Sequence, residues 1–134
     1  MTDTILIITA SADEDAHRYL AKLAGMTQEE YERRTERWSL LPSDPGESWP
    51  AAEARQLAQV LWPSLIGRRT IMLGSRIGAA FSITWPPTRW ASLDSVGTQV
   101  ALVPRPSIRD PWWEDAANRA AVRRFLGSTF GTDS

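Results

Sequence analysis

Three side chains near the amino terminus are best suited to acid–base chemistry. They are the neighbouring carboxylates Asp13 and Glu14 and the single histidine, His17. A carboxylate whose pKa is perturbed can donate or accept a proton in a reaction. Both acids would also suit a helix start, where they meet orphan amide groups and the positive end of the helix dipole. Asp13 is therefore a candidate catalytic acid with a structural alternative. For His17 we expect a packed or solvated role.

A second reactive segment is the proline-bounded run from Arg105 to Arg109. Arg105, Ser107 and Arg109 could hold a phosphate through their side chains and backbone amides. Ile108 or Arg109 could wedge into the space that a flipped base leaves in a duplex. The alternative is an ordinary turn between a strand and a helix. The sequence therefore predicts Ser107, Ile108 and Arg109 as DNA-binding residues.

Other suggestive runs favour structural roles. The segment Gly74-Ser75-Arg76-Ile77-Gly78 lacks the glycine spacing and the Gly-Lys-Ser/Thr ending of nucleotide-binding loops, so close helix packing is the expected role. The arginines at 119, 123 and 124 favour a solvated helix face over a DNA-binding face. Trp112 and Trp113 are expected as core or rim aromatics.

Composition excludes several classes of site. The chain of 134 residues contains no cysteine and one histidine, so neither a disulfide framework nor a thiolate or histidine-based metal site is expected. We expect no metal and no cofactor. The net charge of −1 gives no general basic footprint for DNA, so any DNA contact must be local. No apolar run has the length of a membrane span or the flank of a signal peptide, which predicts a cytoplasmic protein with no membrane partner.

The elements that must position these residues follow from apolar patterning. Largely apolar runs at 5–8, 70–73 and 100–103 are typical of strands buried on both faces of a parallel sheet, and 38–41 is a further short candidate. One helix is expected to begin at a capping box from Ser11 to Glu14, and another at Pro50. A helix between them is expected to begin at Thr27 and to run to about Arg37. Two more are expected at 77–81 and 113–126.

Strands that alternate with helices predict an α/β fold, a three-layer α/β/α domain with a short, mainly parallel central sheet, spanning residues 1–134 as a single unit. Ligands of such sheets bind outside the carboxyl ends of the strands. This rule selects residues 9–13, 39–45, 74–76 and 104–110 as the candidate site.

Several segments, in this order, resemble the uracil-DNA glycosylase superfamily, especially its small bacterial and phage branches. Val103-Pro104-Arg105-Pro106-Ser107, followed by 108–113 and an alanine- and arginine-rich helix, is similar to the family's last strand, His-Pro-Ser loop and final helix. Residues 40–42 and 45–49 resemble its central region. Residues 67–74 resemble the strand and glycine that follow. The resemblance covers most of the chain and implies a glycosylase-like fold.

The resemblance implies a site that takes up a flipped nucleobase and stabilises the departing base anion. Ala10 stands where many members carry the acid that handles water, Ser39 where they carry a base-reading asparagine, and Arg105 where they carry histidine. A guanidinium could still neutralise a base anion or a phosphate. The resemblance thus implies catalytic roles for Arg105 and Asp13 and base-binding roles for the neighbours Ser11, Trp38 and Ser39.

Three hypotheses about function follow. The first is a DNA-base enzyme of this superfamily, acting on a flipped or single-stranded nucleobase that need not be uracil. The second is a non-catalytic module that uses the same pocket to bind modified DNA, a nucleotide or a partner protein. The third is a purely structural or interaction protein, which the near-neutral charge would suit.

Overall fold

A computed structural model describes residues 4–46, 48–84, 87–106 and 110–131. Within these ranges, five strands form one sheet: β1 (Ile5–Thr9), β2 (Thr35–Ser39), β3 (Arg69–Leu73), β4 (Ala91–Ser92) and β5 (Gln99–Val103). Their order in the sheet is β2-β1-β3-β5-β4. β4 runs antiparallel to β5, and the other neighbouring strands are parallel. The sheet is therefore mixed but mostly parallel.

Five α-helices lie in the same described ranges, the first four between strands and the fifth after the last strand. They are α1 (Glu14–Leu23), α2 (Gln28–Arg34), α3 (Ala51–Leu61), α4 (Ser75–Ala80) and α5 (Ala116–Phe130). Two 3₁₀ turns adjoin them, Trp62–Leu65 after α3 and Pro111–Glu114 before α5.

Successive side chains of β1 and β3 enter two different hydrophobic clusters, because side chains of a strand alternate between faces. The cluster shared with α1, α2 and α5 contains the strand residues Ile5, Ile7, Ile71 and Leu73. The cluster shared with α3 and α4 contains Leu6, Ile8 and Met72. Burial on both faces explains the largely apolar runs of these strands. The predicted α/β class, with helices on both faces of a mainly parallel sheet, is confirmed at this level.

The start of α1 differs from the predicted capping box. Asp13, and not Ser11, is the N-cap residue, and its carboxylate accepts a hydrogen bond from the amide of Ala16 at 3.1 Å. A carboxylate at this position also interacts favourably with the positive end of the helix. The Ser11 carbonyl instead accepts a hydrogen bond from the Thr9 hydroxyl at 2.7 Å, so Ser11 lies in the turn between β1 and α1.

The boundary between α2 and β2 also differs from the prediction. Thr27 caps α2 as expected, accepting from the amide of Glu30 at 3.1 Å. The helix ends at Arg34, however, and not near Arg37, because the next five residues pair with β1 from Ile5↔Thr35 to Thr9↔Ser39. Strand pairing overrides the local helical charge pattern at an edge strand, where one side of the ladder faces solvent.

The remaining differences are small. α4 begins two residues before the predicted helix, directly after Gly74. α5 begins at Ala116 because the preceding Pro111–Glu114 forms a 3₁₀ turn that Asp110 caps. The two-residue strand β4 was not predicted, since no periodic pattern of apolar residues marks so short a pairing.

Candidate functional site

A pocket of about 850 Å³ lies at the carboxyl ends of β1, β3 and β5. Such a volume falls within the range of small-molecule sites. Each of the four segments selected from the sequence contributes to its lining. The lining residues from these segments are Ala10, Ser11, Asp44, Pro45, Gly74, Ser75, Arg76, Pro104, Arg105 and Asp110.

Sheet topology explains the location of this pocket. The chain passes from β1 to β2 on one side and later to β3 on the other side, so β1 and β3 are neighbours whose connections diverge. A crevice forms at such a switch point, because the two loops leave the sheet in opposite directions. The pocket thus lies at the carboxyl ends of the strands, where the sequence analysis expects the site.

Gly74 joins the ends of two of these strands. Its amide donates a hydrogen bond to the Val103 carbonyl at 2.8 Å, and its φ of 110° lies in a region that favours glycine. A Cβ at this position would lie 3.8 Å from the Cβ of Arg105. The glycine therefore lets the chain turn sharply into α4 while the end of β5 stays close beside it.

Arg105 and Asp13, the two predicted catalytic residues, form an ion pair although 92 positions separate them. Arg105 Nε donates to Asp13 Oδ2 at 2.9 Å, and the two side chains are 57% and 15% exposed. The other Asp13 oxygen accepts the Ala16 amide. Arg105 lines the pocket, whereas Asp13 is not among the lining residues. Asp13 thus caps α1 and orients Arg105, and both of its oxygens are engaged in these bonds.

A buried tryptophan holds the backbone of the same loop. The indole Nε1 of Trp113 donates to the Arg105 carbonyl at 2.9 Å, while its ring belongs to the cluster shared with α1 and α5. Tyr19 of α1 packs edge-on against this ring, with the ring centroids 5.4 Å apart. Arg105 is therefore held through its side chain by Asp13 and through its carbonyl by Trp113.

The predicted base-binding residues divide into two groups. Ser11 lines the pocket, as does Ala10 beside it. Trp38 and Ser39 do not line it, because β2 is the edge strand on the far side of β1. Ser39 is exposed, and Trp38 packs against the α3 side of the core with the Arg68 guanidinium 5.9 Å from its ring centroid. The prediction that Trp38 and Ser39 belong to the pocket is therefore wrong.

The predicted DNA-binding residues Ser107, Ile108 and Arg109 lie outside the described residues. They follow Pro106 and precede Asp110 in the chain, and Asp110 lines the pocket. Their role in DNA binding stays a prediction.

Two tryptophans that the sequence analysis did not single out as binding residues line the pocket. Trp49, just before α3, packs against the core cluster of α3 and α4, and Trp112 packs against the cluster of α1 and α5. They therefore reach the pocket from opposite layers of the fold. The Arg76 guanidinium lies 5.7 Å from the Trp49 ring centroid. No local signal separates Trp49 from a core tryptophan, whereas Trp112 fits its expected place at the rim.

His17 has the packed role expected for it. The residue is buried, and its Nδ1 lies 2.7 Å from the Tyr31 hydroxyl oxygen of α2. Burial and, to a lesser degree, the positive charge of Arg37 lower the pKa of His17, while burial raises the pKa of Tyr31. The pair joins α1 to α2 and is not part of the pocket lining.

The run from Gly74 to Gly78 also has the predicted packing role. A Cβ on Gly78 would lie 2.8 Å from both the Ile83 carbonyl oxygen and a methyl carbon of Leu102. Glycine at this position lets α4 approach β5 closely.

Comparison with known proteins adds no assignment: no protein-family model matches the chain, and no curated protein matches it. The helices in the described ranges are all too short or too polar to cross a membrane. The resemblance to the uracil-DNA glycosylase superfamily remains a sequence-based expectation.

Proposed function

We propose that this protein takes an unpaired DNA nucleobase into the pocket at the carboxyl ends of β1, β3 and β5, as a divergent member of the uracil-DNA glycosylase superfamily. One observation carries the proposal. Trp49 and Trp112 reach the same pocket from opposite layers of the fold, beside the guanidinium groups of Arg76 and Arg105. Aromatic rings and cations in one groove are the combination that binds unpaired bases and the phosphates next to them.

The surroundings of Arg105 support a role in binding the strand. Asp13 and Trp113 fix the residue in place while more than half of its side chain stays exposed at the pocket. A guanidinium that is held before the ligand arrives loses less conformational freedom on binding. Arg105 would then contact either a phosphate oxygen or the polar edge of the base.

The residues that follow β1 favour binding of a base over its removal. Ala10 has no group that can activate water, and both carboxylate oxygens of Asp13 are engaged, one with Arg105 and one with the start of α1. General acid–base assistance contributes about 10²- to 10⁴-fold to such reactions. We therefore propose a binding protein for extruded or single-stranded bases, with little or no uracil excision.

A second candidate is a DNA-base hydrolase in which Asp13 activates water and Arg105 stabilises the departing base anion. The observation in its favour is the contact of Asp13 with Arg105, which puts a carboxylate next to a pocket residue. On this hypothesis Asp13 would have to exchange its bond to Arg105 for a bond to water.

Binding is tested by fluorescence anisotropy with a labelled single-stranded oligonucleotide and a matched strand that carries one abasic site. Wild type should bind the strand with the base more tightly. Trp49→Leu and Trp112→Leu should each weaken binding about five- to hundredfold, since stacking on one aromatic side chain is worth about 1–3 kcal/mol per base. Trp38→Leu is the matched control outside the pocket and should bind as wild type does. Equal binding of both strands by wild type would refute the proposal.

Catalysis is tested on an oligonucleotide with a single uracil, by cleaving the abasic product with alkali. We expect no product above background. Rapid formation of abasic sites, lost in Asp13→Asn, would establish the second candidate instead.

A further inference from the structure

The floor of the pocket is chemically different from its rim. Every lining residue that is buried is apolar. These residues are Leu73, Ile77, Ile83, Leu102 and Val103. Three charged residues of the lining, Asp44, Arg76 and Arg105, are exposed. A ligand that enters the pocket therefore passes from polar surroundings into apolar ones.

Three backbone polar groups of the floor residues are already engaged in hydrogen bonds. The Val103 carbonyl accepts the Gly74 amide at 2.8 Å, and the Leu102 carbonyl accepts the Thr88 amide at 2.8 Å. The Ile83 amide donates to the Gly78 carbonyl at 2.7 Å. These groups serve the fold, so the floor offers a base mainly apolar contact.

We infer, on the basis of the proposed function, that the site selects nucleobases carrying an apolar ring substituent such as a methyl group. The sugar and phosphate of an inserted nucleotide would stay at the rim with Arg76 and Arg105. The ring edge remote from the sugar would then face Ile83 and Leu102, which line the pocket from the same core cluster. A methyl group on that edge gains burial against the floor, whereas a polar edge loses water and finds few partners there.

This selectivity differs from reading of the Watson–Crick edge. Recognition by hydrogen bonds would separate uracil from cytosine, whose donors and acceptors differ, and would be indifferent to a methyl group. Recognition by an apolar floor separates each base from its methylated counterpart. The pocket volume of about 850 Å³ leaves room for a ring with a substituent.

Matched pairs of ligands test the inference. Four labelled single strands differ at one position, which holds uracil, thymine, cytosine or 5-methylcytosine, and a fifth has an abasic site there. We expect thymine to bind about fourfold more tightly than uracil, and 5-methylcytosine about fourfold more tightly than cytosine, from burial of one methyl group. Equal affinities within both pairs, or tighter binding of the unmethylated bases, would overturn the inference.

The abasic strand separates failure of this inference from failure of the proposed function. If all four bases bind better than the abasic strand but without a methyl effect, only the inference falls. If none binds better than the abasic strand, the proposed function falls with it. Thymidine and deoxyuridine are titrated in parallel as free ligands. A methyl preference in the strands that the free nucleosides share supports the inference for the base alone, and a preference in the strands only supports it for a base with its flanking phosphates.

A pair of variants tests whether the floor is responsible. Ile83→Thr places a hydroxyl group in the floor, and Ile5→Thr makes the same change at an equally buried position of β1, away from the pocket. We expect the methyl preference to fall towards one in Ile83→Thr and to persist in Ile5→Thr. An unchanged preference in a folded Ile83→Thr would contradict the inference. If Ile83→Thr does not fold, the wild-type comparison of the matched strands decides alone.

Discussion

At the scale of single residues, the contact between His17 and Tyr31 makes stability depend on pH. Burial, followed by the positive charge of Arg37, lowers the pKa of His17 below its usual value of 6.5. In the unfolded chain this histidine binds a proton as the pH falls through 6.5, whereas in the folded protein it stays neutral to a lower pH. Its contribution to stability is thus complete above pH 6.5 and is lost as the pH falls towards its folded-state pKa.

The free energy of unfolding should fall between about pH 7.5 and about pH 5.5, and we predict that it falls less in His17→Gln. The reason is that histidine is the side chain whose unshifted pKa lies in this range. The share of the fall that His17 contributes is at most about 1.4 kcal/mol, because only one of these two pH units lies below the unfolded-state value of 6.5 and one unit corresponds to about 1.4 kcal/mol. Urea denaturation at both pH values measures it. His17 is the only histidine, so no other histidine complicates the comparison. The same pH dependence in both proteins would argue against a neutral buried His17.

At the scale of elements, the approach of α4 to β5 depends on Gly78. A methyl group there would come within 2.8 Å of the Ile83 carbonyl oxygen, a backbone atom that cannot move cheaply. Overpacking of this kind costs about 1–3 kcal/mol, which exceeds the gain of up to about 1 kcal/mol that alanine brings to a helix. The same contact supports the pocket, since Ile83 and Leu102 are part of its floor.

Gly78→Ala should therefore lower the free energy of unfolding by about 1–2 kcal/mol, measured by urea denaturation. Ser128→Ala, a change to alanine at an exposed position of α5, should leave stability unchanged or slightly raise it. If Gly78→Ala proved as stable as wild type, α4 and β5 would be less tightly packed than their distances indicate.

At the scale of the whole molecule, a net charge of −1 limits DNA affinity to local contacts. Each phosphate neutralised on a single strand contributes about −0.7 to the slope of log K against log salt concentration. We predict that the total slope is shallow. It should become less steep by about 0.7 in Arg105→Ala and, if Arg109 also holds a phosphate, by the same amount in Arg109→Ala. Arg109 lies outside the described residues, so its part in this prediction comes from the sequence.

Arg123→Ala supplies the control, because Arg123 is exposed on α5 and tests the competing basic face of that helix. Arg119 of the same helix already donates a hydrogen bond to the Trp113 carbonyl. Binding titrations at several salt concentrations would measure all three slopes. A change in Arg123→Ala alone would move the DNA contact from the pocket rim to α5.

Local sequence was enough to predict the parallel sheet and the end of it at which the pocket lies. The largely apolar runs at 5–8, 70–73 and 100–103 place apolar side chains on both faces of their strands. Burial of both faces requires helices on either side of the sheet. From that, the carboxyl ends of the strands follow as the place for a ligand, and the segments around Ala10, Asp44, Gly74 and Arg105 do meet there. These features depend on short-range patterns that a single sequence displays.

Strand order and long-range packing decided the rest. β2 is an edge strand beyond β1, so Trp38 and Ser39 lie outside the pocket. No local sequence pattern encodes this strand order. The Asp13 contact with Arg105 and the meeting of Trp49 with Trp112 likewise join segments far apart in the chain. Such contacts form because separate hydrophobic faces pack together, so their partners depend on the whole fold and not on the neighbouring residues.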